Sequence, residues 1–168
     1  MESKSAKSDS TLDYLRVPPH SIEAEQSVLG GLLLDNAAFD RVADIVTDED
    51  FYRFDHKLIW QHITRLIGLA RPADVVTVFE SLSVAGKQEE VGGLAYLNAL
   101  AHNTPSAANI RRYAEIVRER STLRKLVTVA DEISSAAFNP QGKEARQSAW
   151  FAGFSGNSAL AQSGGGAH

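Results

Sequence analysis

Residues 22–35 read IEAEQSVLGGLLLD, and how this stretch is taken decides the fold. It has the pattern of an amphipathic helix with Gly30 and Gly31 at its centre, although each glycine costs a helix interior about 1 kcal/mol relative to alanine. Two glycines where alanine would serve call for a physical reason. Upstream, Pro18 and Pro19 stop any preceding helix and lead into this one. Residues 1–16, rich in Ser, Lys and Asp, have little to bury and are expected to form a disordered tail.

Downstream the punctuation stays helical. Asp35 and Asn36 offer caps for a short helix carrying Phe39, Val42, Ala43 and Val46, and Thr47 with Asp50 imitates a capping box before Phe51 and Tyr52. Asp55 is expected to cap the next helix, where Ile59, Ile63, Leu66 and Ile67 form a stripe that Gly68 and Pro72 end. Asp74 starts another through Val78, Phe79 and Leu82, against the strand preference of Val75, Val76, Thr77 and Val78. Leu94, Leu97 and Leu100 follow Gly92 and Gly93 at a spacing of three, and Asn103, Thr104 and Pro105 close that segment.

The longest run comes last. Ile110, Tyr113, Val117, Leu123, Val127, Ala130, Ile133 and Ala137 recur at threes and fours with one skip at Arg120. They predict roughly 30 residues of helix, ~45 Å at ~1.5 Å per residue, too long to be covered by so small a body, so part of it should project and seek a partner. Asn139-Pro140-Gln141-Gly142 signals a turn, after which GKEARQ begins a returning arm. That arm then fails: residues 148–168 carry no charge, five glycines, and Trp150, Phe151 and Phe154 without a period, the composition of a flexible tail.

The 168 residues are 43% hydrophobic and 23% charged, enough for one sizeable core. A formal charge of -4 argues against holding nucleic acid by bulk electrostatics. The charge is uneven, with nine acids against three bases in residues 21–60 and eight bases against five acids in residues 101–147. No cysteine is present, so disulfides and thiolate metal sites are excluded. Neither a signal-peptide core nor an apolar run of about 18 residues occurs, and the chain reads as cytoplasmic with no membrane contact.

Chemistry is hard to find. Gly86-Lys87 and Gly142-Lys143 each lack the upstream glycine and following hydroxyl of a phosphate-binding loop. His56 and His62 are six apart, far from sharing a helix face, and no HExxH or GxSxG occurs. Glu23, Glu25 and Gln26 sit in a helical first turn, where the dipole favours negative charge and a structural role outweighs acid–base catalysis. Arg111, Arg112, Arg118, Arg120, Arg124 and Lys125 spread around the long helix beside Glu115 and Glu119, more a solvated or interface face than a phosphate track. No catalytic, cofactor-binding or metal-ligating set emerges.

Five blocks in order carry a resemblance: VPPHSIEAEQSVLGGLLLDN (17–36), DFYRFDHKLIW (50–60), VGGLAYL (91–97), NTPSAANI (103–110) and YAEIVRER (113–120). Over about residues 16–147 the chain resembles the amino-terminal domain of the bacterial replicative DNA helicase, the DnaB type. The resemblance implies an all-α domain, with a compact helical head at 17–104 and a long helix starting a helical hairpin at 105–147 whose second arm is incomplete here. It implies a non-catalytic scaffold in DNA replication that assembles with other helicase subunits into a ring and receives the carboxyl-terminal domain of primase, touching DNA only through the full helicase. ATP and Mg2+ would belong to a separate motor domain, with no cofactor in this chain. Positions matching the family's primase contact are Tyr96, Val127 and Ile133, each of which also suits ordinary packing. Past Gln147 the chain departs from the family pattern, as a frame change, truncation or fusion scar would leave it.

The glycine pair then has a reason. Bare backbone at Gly30 and Gly31 lets another helix approach closer than side chains allow, and close packing offsets the propensity loss; the competing reading is a bent helix end. Two other functions stay open on the residues: a non-functional helicase remnant, and a single-strand DNA-binding module acting through the arginine helix.

Overall fold

The computed structural model describes residues 16–139. The expected tails, the turn after Asn139 and the returning arm lie outside them. Among the described residues all regular structure is helical: α1 (Ile22–Leu34), α2 (Phe54–Gly68), α3 (Val75–Val84), α4 (Gly93–Asn103) and α5 (Ile110–Phe138), with short 3₁₀ turns at Asn36–Arg41 and Asp48–Asp50. Two compact units divide between Thr122 and Leu123.

In the first unit α1 packs on α2 and α4, and α3 packs on the same two helices. Fully buried Val28, Leu29 and Leu32 of α1 join Ile59 and Ile63 of α2, Leu82 of α3, Leu97 of α4, and Ile110 and Val117 of α5 in one core. Phe51 fills its middle beside Trp60, ring centroids 5.3 Å apart. Burial on this scale, at roughly 25 cal/mol per Å² of apolar surface, is what overrides the strand preference of residues 75–78. There Asp74 Oδ1 accepts from the Thr77 N–H (2.9 Å) while Thr77 Oγ1 accepts from the Asp74 N–H (2.9 Å), a reciprocal cap for α3.

Several polar residues tie distant segments together. Ser21 caps α1 through the Ala24 N–H (3.3 Å). Asp35 caps the following 3₁₀ turn through the Ala37 N–H, but Asn36 does something else: its amide donates to the Leu32 and Ala73 carbonyls and accepts from the Ala73 N–H, clamping the end of α1 to the start of α3. Asp50 closes the Thr47 turn by accepting from the Thr47 N–H (2.8 Å), and it also accepts from Ser121 Oγ (2.7 Å) and the Arg118 guanidinium (3.2 Å) of α5. Burial alone would push its carboxyl up; the Thr47, Ser121 and Arg118 hydrogen bonds and the Arg118 charge outweigh burial and hold it below the ordinary carboxylate value.

One local expectation needs correction. Asp55 does not cap α2: Arg53 occupies that position, Asp55 lies in the first turn, and its carboxylate pairs with the Arg53 guanidinium. α2 ends at Gly68 as expected, and the left-handed turn comes two residues later. The left-handed residue is Ala70 (φ 56°), with the Ala70 N–H donating to the Ile67 carbonyl and the Arg71 N–H to the Leu66 carbonyl. α3 ends in the same double hydrogen-bond pattern, but with Gly86 (φ 69°) at the equivalent place.

The second unit is described as far as Asn139 and contains the remainder of α5. Leu123, Leu126, Val127, Val129, Ile133 and Phe138 are all exposed there. At about 100° per residue they span an apolar arc of roughly 180°, well beyond the ~100° stripe that one flat contact needs.

Candidate functional site

The first unit contains a chain of buried polar groups that ends at Tyr96. It begins with Glu25 of α1, 1% exposed, a carboxylate that must find donors to be tolerated there. Its oxygens accept from the Tyr52 N–H (2.8 Å), the Arg53 N–H (3.4 Å) and Nδ1 of His56 (2.8 Å). Tyr52 and Arg53 immediately precede α2, so Glu25 satisfies the open N–H groups and positive dipole end of a helix other than its own. A structural role was expected from its place in the first turn of α1; the helix it serves was not.

His56 is fully buried, and its Nε2 lies 2.6 Å from the Tyr96 hydroxyl. Gln26 Nε2 also donates to the Tyr96 oxygen (3.3 Å), so the Tyr96 hydroxyl joins Gln26 of α1 to His56 of α2. The His56 and Tyr96 rings lie near parallel with centroids 5.9 Å apart, and the Arg53 guanidinium stands 5.3 Å from the Tyr96 ring centre. Burial, with the nearby Asp55 and Glu25 charges, pushes the phenol above its ordinary value despite Gln26 and Arg53, so it keeps its proton at neutral pH.

Local backbone delivers Tyr96 to this position. Gly92 (φ 84°) and Gly93 (φ 68°) take left-handed conformations at the start of α4, and a Cβ on Gly92 would come within 3.0 Å of the Tyr96 Cβ. The exposed side of Tyr96 borders a shallow groove of about 240 Å³, shared with Gln26, Ser27, Ala99 and Asn103. Gly30 lies at the base of this side of the domain. A Cβ there would sit under 3.0 Å from Thr104 Oγ1 and from the Leu100 carbonyl oxygen, and one on Gly31 would meet the tip of Ile110 at 3.0 Å.

Of the three contact positions implied by resemblance, Tyr96 is half-buried in the first unit, whereas Val127 and Ile133 are 47% and 39% exposed on α5 in the second. Six residues apart, Val127 and Ile133 point about 120° from one another, on opposite flanks of the apolar arc. His62 is unconnected with His56; its Nδ1 pairs with Ser81 Oγ at 2.7 Å, joining α2 to α3. No cluster able to hold a metal ion occurs among the described residues. The pairing of Glu25 with His56 escaped the sequence reading because 31 residues separate them and no local period links them.

The described residues thus form an all-helical domain in which buried hydrogen bonds set the place of Tyr96 at the edge of a groove. Known proteins place such a domain in a family. The family described as "DnaB-like helicase N terminal domain" matches residues 17–119. The replicative DNA helicase DnaB of Haemophilus influenzae is 43% identical over 137 residues, 82% of this chain and 29% of that protein. The crystal structure of the N-terminal domain of DnaB helicase from Mycobacterium tuberculosis superposes with a TM-score of 0.75 at 38% identity, covering 79% of this chain and 94% of that one. A DnaB-like replicative helicase, described with its interactions with primase, superposes at 0.60 with 25% identity over 71% of this chain and 29% of its own. The chain belongs to the DnaB-like helicase N-terminal domain family, and spans about 30% of the length of the curated relatives it matches.

No helix among the described residues is long and apolar enough to cross a membrane.

Proposed function

We propose that this chain acts as the amino-terminal scaffold of a replicative helicase, joining copies of the helicase to one another and receiving primase, with Tyr96, Val127 and Ile133 in the primase contact. The observation that carries this reading, beside family membership, is the exposed apolar arc of α5 from Leu123 to Phe138. An arc of about 180° is wide enough for two neighbours on adjoining flanks, which is what a module that assembles with its own kind and also receives another protein requires. ATP hydrolysis and DNA translocation fall to a separate motor domain, and no phosphate-binding loop occurs in this sequence.

The single-strand DNA reading loses support from the pairing of the arginines. Arg111 and Arg112 are engaged with Glu115, Arg112 also with Glu119, and Arg118 with Asp50. Phosphates would have to displace carboxylates already in place.

Light scattering on the chain over a range of concentrations, alone and with the primase carboxyl-terminal domain, tests the proposal. Self-association weakened by Leu126→Asp, and a further mass increase with primase, are the expected results. A monomer at every concentration that leaves primase unshifted would overturn it.

A further inference from the structure

Away from Tyr96, the C-terminal parts of α2 and α3 enclose a groove of about 480 Å³ that the proposed contacts do not use. Leu66 and Pro72 contribute to its apolar lining, and Leu69 and Val84 stand on it 55% and 85% exposed. An apolar cavity of about 150 Å³ suffices for benzene, so there is room here for more than one aliphatic or aromatic side chain.

The polar groups along the groove are unbalanced. Arg65 and Arg71 both line it, and among the described residues neither forms an ion pair. Glu80 is the acidic side chain among the described lining residues, and it is paired with neither arginine. Ser81 is occupied from beneath by His62, which fixes the floor. The wall is fixed as well: the paired hydrogen bonds from the Ala70 and Arg71 N–H groups to the Ile67 and Leu66 carbonyls set where Leu69 and Arg71 emerge. A left-handed alanine there holds the two side chains on an ordered loop.

We propose that this groove docks a segment of a partner protein in which carboxylates flank aliphatic or aromatic side chains, the carboxylates meeting Arg65 and Arg71 and the apolar side chains entering beside Leu69 and Val84. Charge complementarity argues for this occupant: two guanidiniums with no carboxylate partner among the described residues bind carboxylates in a fork geometry that ammonium groups and neutral amides cannot match. The inference rests on the first unit alone and is independent of the primase reading.

The test titrates the 15N-labelled chain with three acetylated octapeptides built on a Leu-Phe pair flanked by Asp, Asn or Lys. The Asp peptide is expected to produce saturable shifts at amides of residues 65–72 and 77–85, with at least tenfold weaker binding for the Asn and Lys peptides. The Arg65→Ala/Arg71→Ala variant should bind the Asp peptide at least tenfold more weakly with an unchanged circular dichroism spectrum, whereas Tyr96→Ala should bind it as the parent does. Equal affinity for the Asp and Asn peptides would overturn the proposal, as would no saturable shift at millimolar peptide. Shifts at the same amides on raising protein concentration alone would assign the groove to a second copy and also overturn it.

Discussion

Replacing Gly30 by alanine should damage the domain far more than the same change one residue later. Alanine raises helix propensity by about 1 kcal/mol at either position. At Gly30 the added Cβ falls under 3.0 Å from Thr104 Oγ1 and from the Leu100 carbonyl oxygen. It is thus roughly an ångström short of van der Waals contact at about 3.5 Å, and the Leu100 oxygen is backbone that can yield only if α1 and α4 separate. Overpacking of this kind costs about 3 kcal/mol, leaving a net loss of about 2 kcal/mol, or a Tm roughly 4 to 8 °C lower. At Gly31 the obstacle is the tip of Ile110 at 3.0 Å, which shifts by a few tenths of an ångström, so propensity and crowding cancel to within about 0.5 kcal/mol. Thermal and urea unfolding followed by circular dichroism would measure both variants. Adding Thr104→Ala to Gly30→Ala should recover less than half of the loss, because the Leu100 oxygen stays in place. A Gly30→Ala protein as stable as the parent would refute the close approach of α1 to α4.

Other perturbations follow from single features. Ala70→Gly should raise stability by about 0.5 to 1 kcal/mol by relieving the left-handed alanine, and Gly86→Ala should lower it by a comparable amount at the matching position, both read by urea midpoints. Glu25→Ala should cost about 3 kcal/mol, since it takes the carboxylate partner from His56, which is fully buried; a loss below about 1 kcal/mol would show that the network is not needed. The acid side of the stability profile should reflect Asp50 and His62, both lowered in the folded state, His62 by burial first and then by Arg65. Unfolding takes up protons at each, so each contribution is complete above the unfolded value, about 3.9 for Asp and about 6.5 for His, and is lost as pH falls through the folded one. Asp50→Asn should flatten the fall below about pH 4, and a profile unchanged by that substitution would remove Asp50 from the account.

The helices were legible because their signals are local. Pro18, Pro19, Asp35 and Asp74 announce starts, Gly92 and Gly93 mark the entry to α4, and the apolar period carries α5 to Ala137, one residue short of its end. What stayed hidden depends on partners far along the chain. Asn36 looked like a cap and proved to be a clamp on Ala73, and Asp50 closed its turn as expected but also reaches Ser121, 71 residues on. Gly68 marked the stop of α2 correctly, but the left-handed residue beyond it, Ala70, carries no local signal. Tyr96 could be picked out only by resemblance to a family. Its setting between Gln26 and the Arg53–His56 segment required the fold, since these lie about 70 and 40 residues before it.

That this chain works by touching other proteins is tested most directly by calorimetric titration of the primase carboxyl-terminal domain into the chain, its Tyr96→Ala variant and its Tyr96→Phe variant, each first shown to keep its helical spectrum. The account predicts saturable heat for the parent, at least tenfold weaker binding for Tyr96→Ala, and an intermediate loss for Tyr96→Phe, which keeps the ring but gives up the bond to His56. Binding that is absent in all three proteins, or identical in all three, would contradict it.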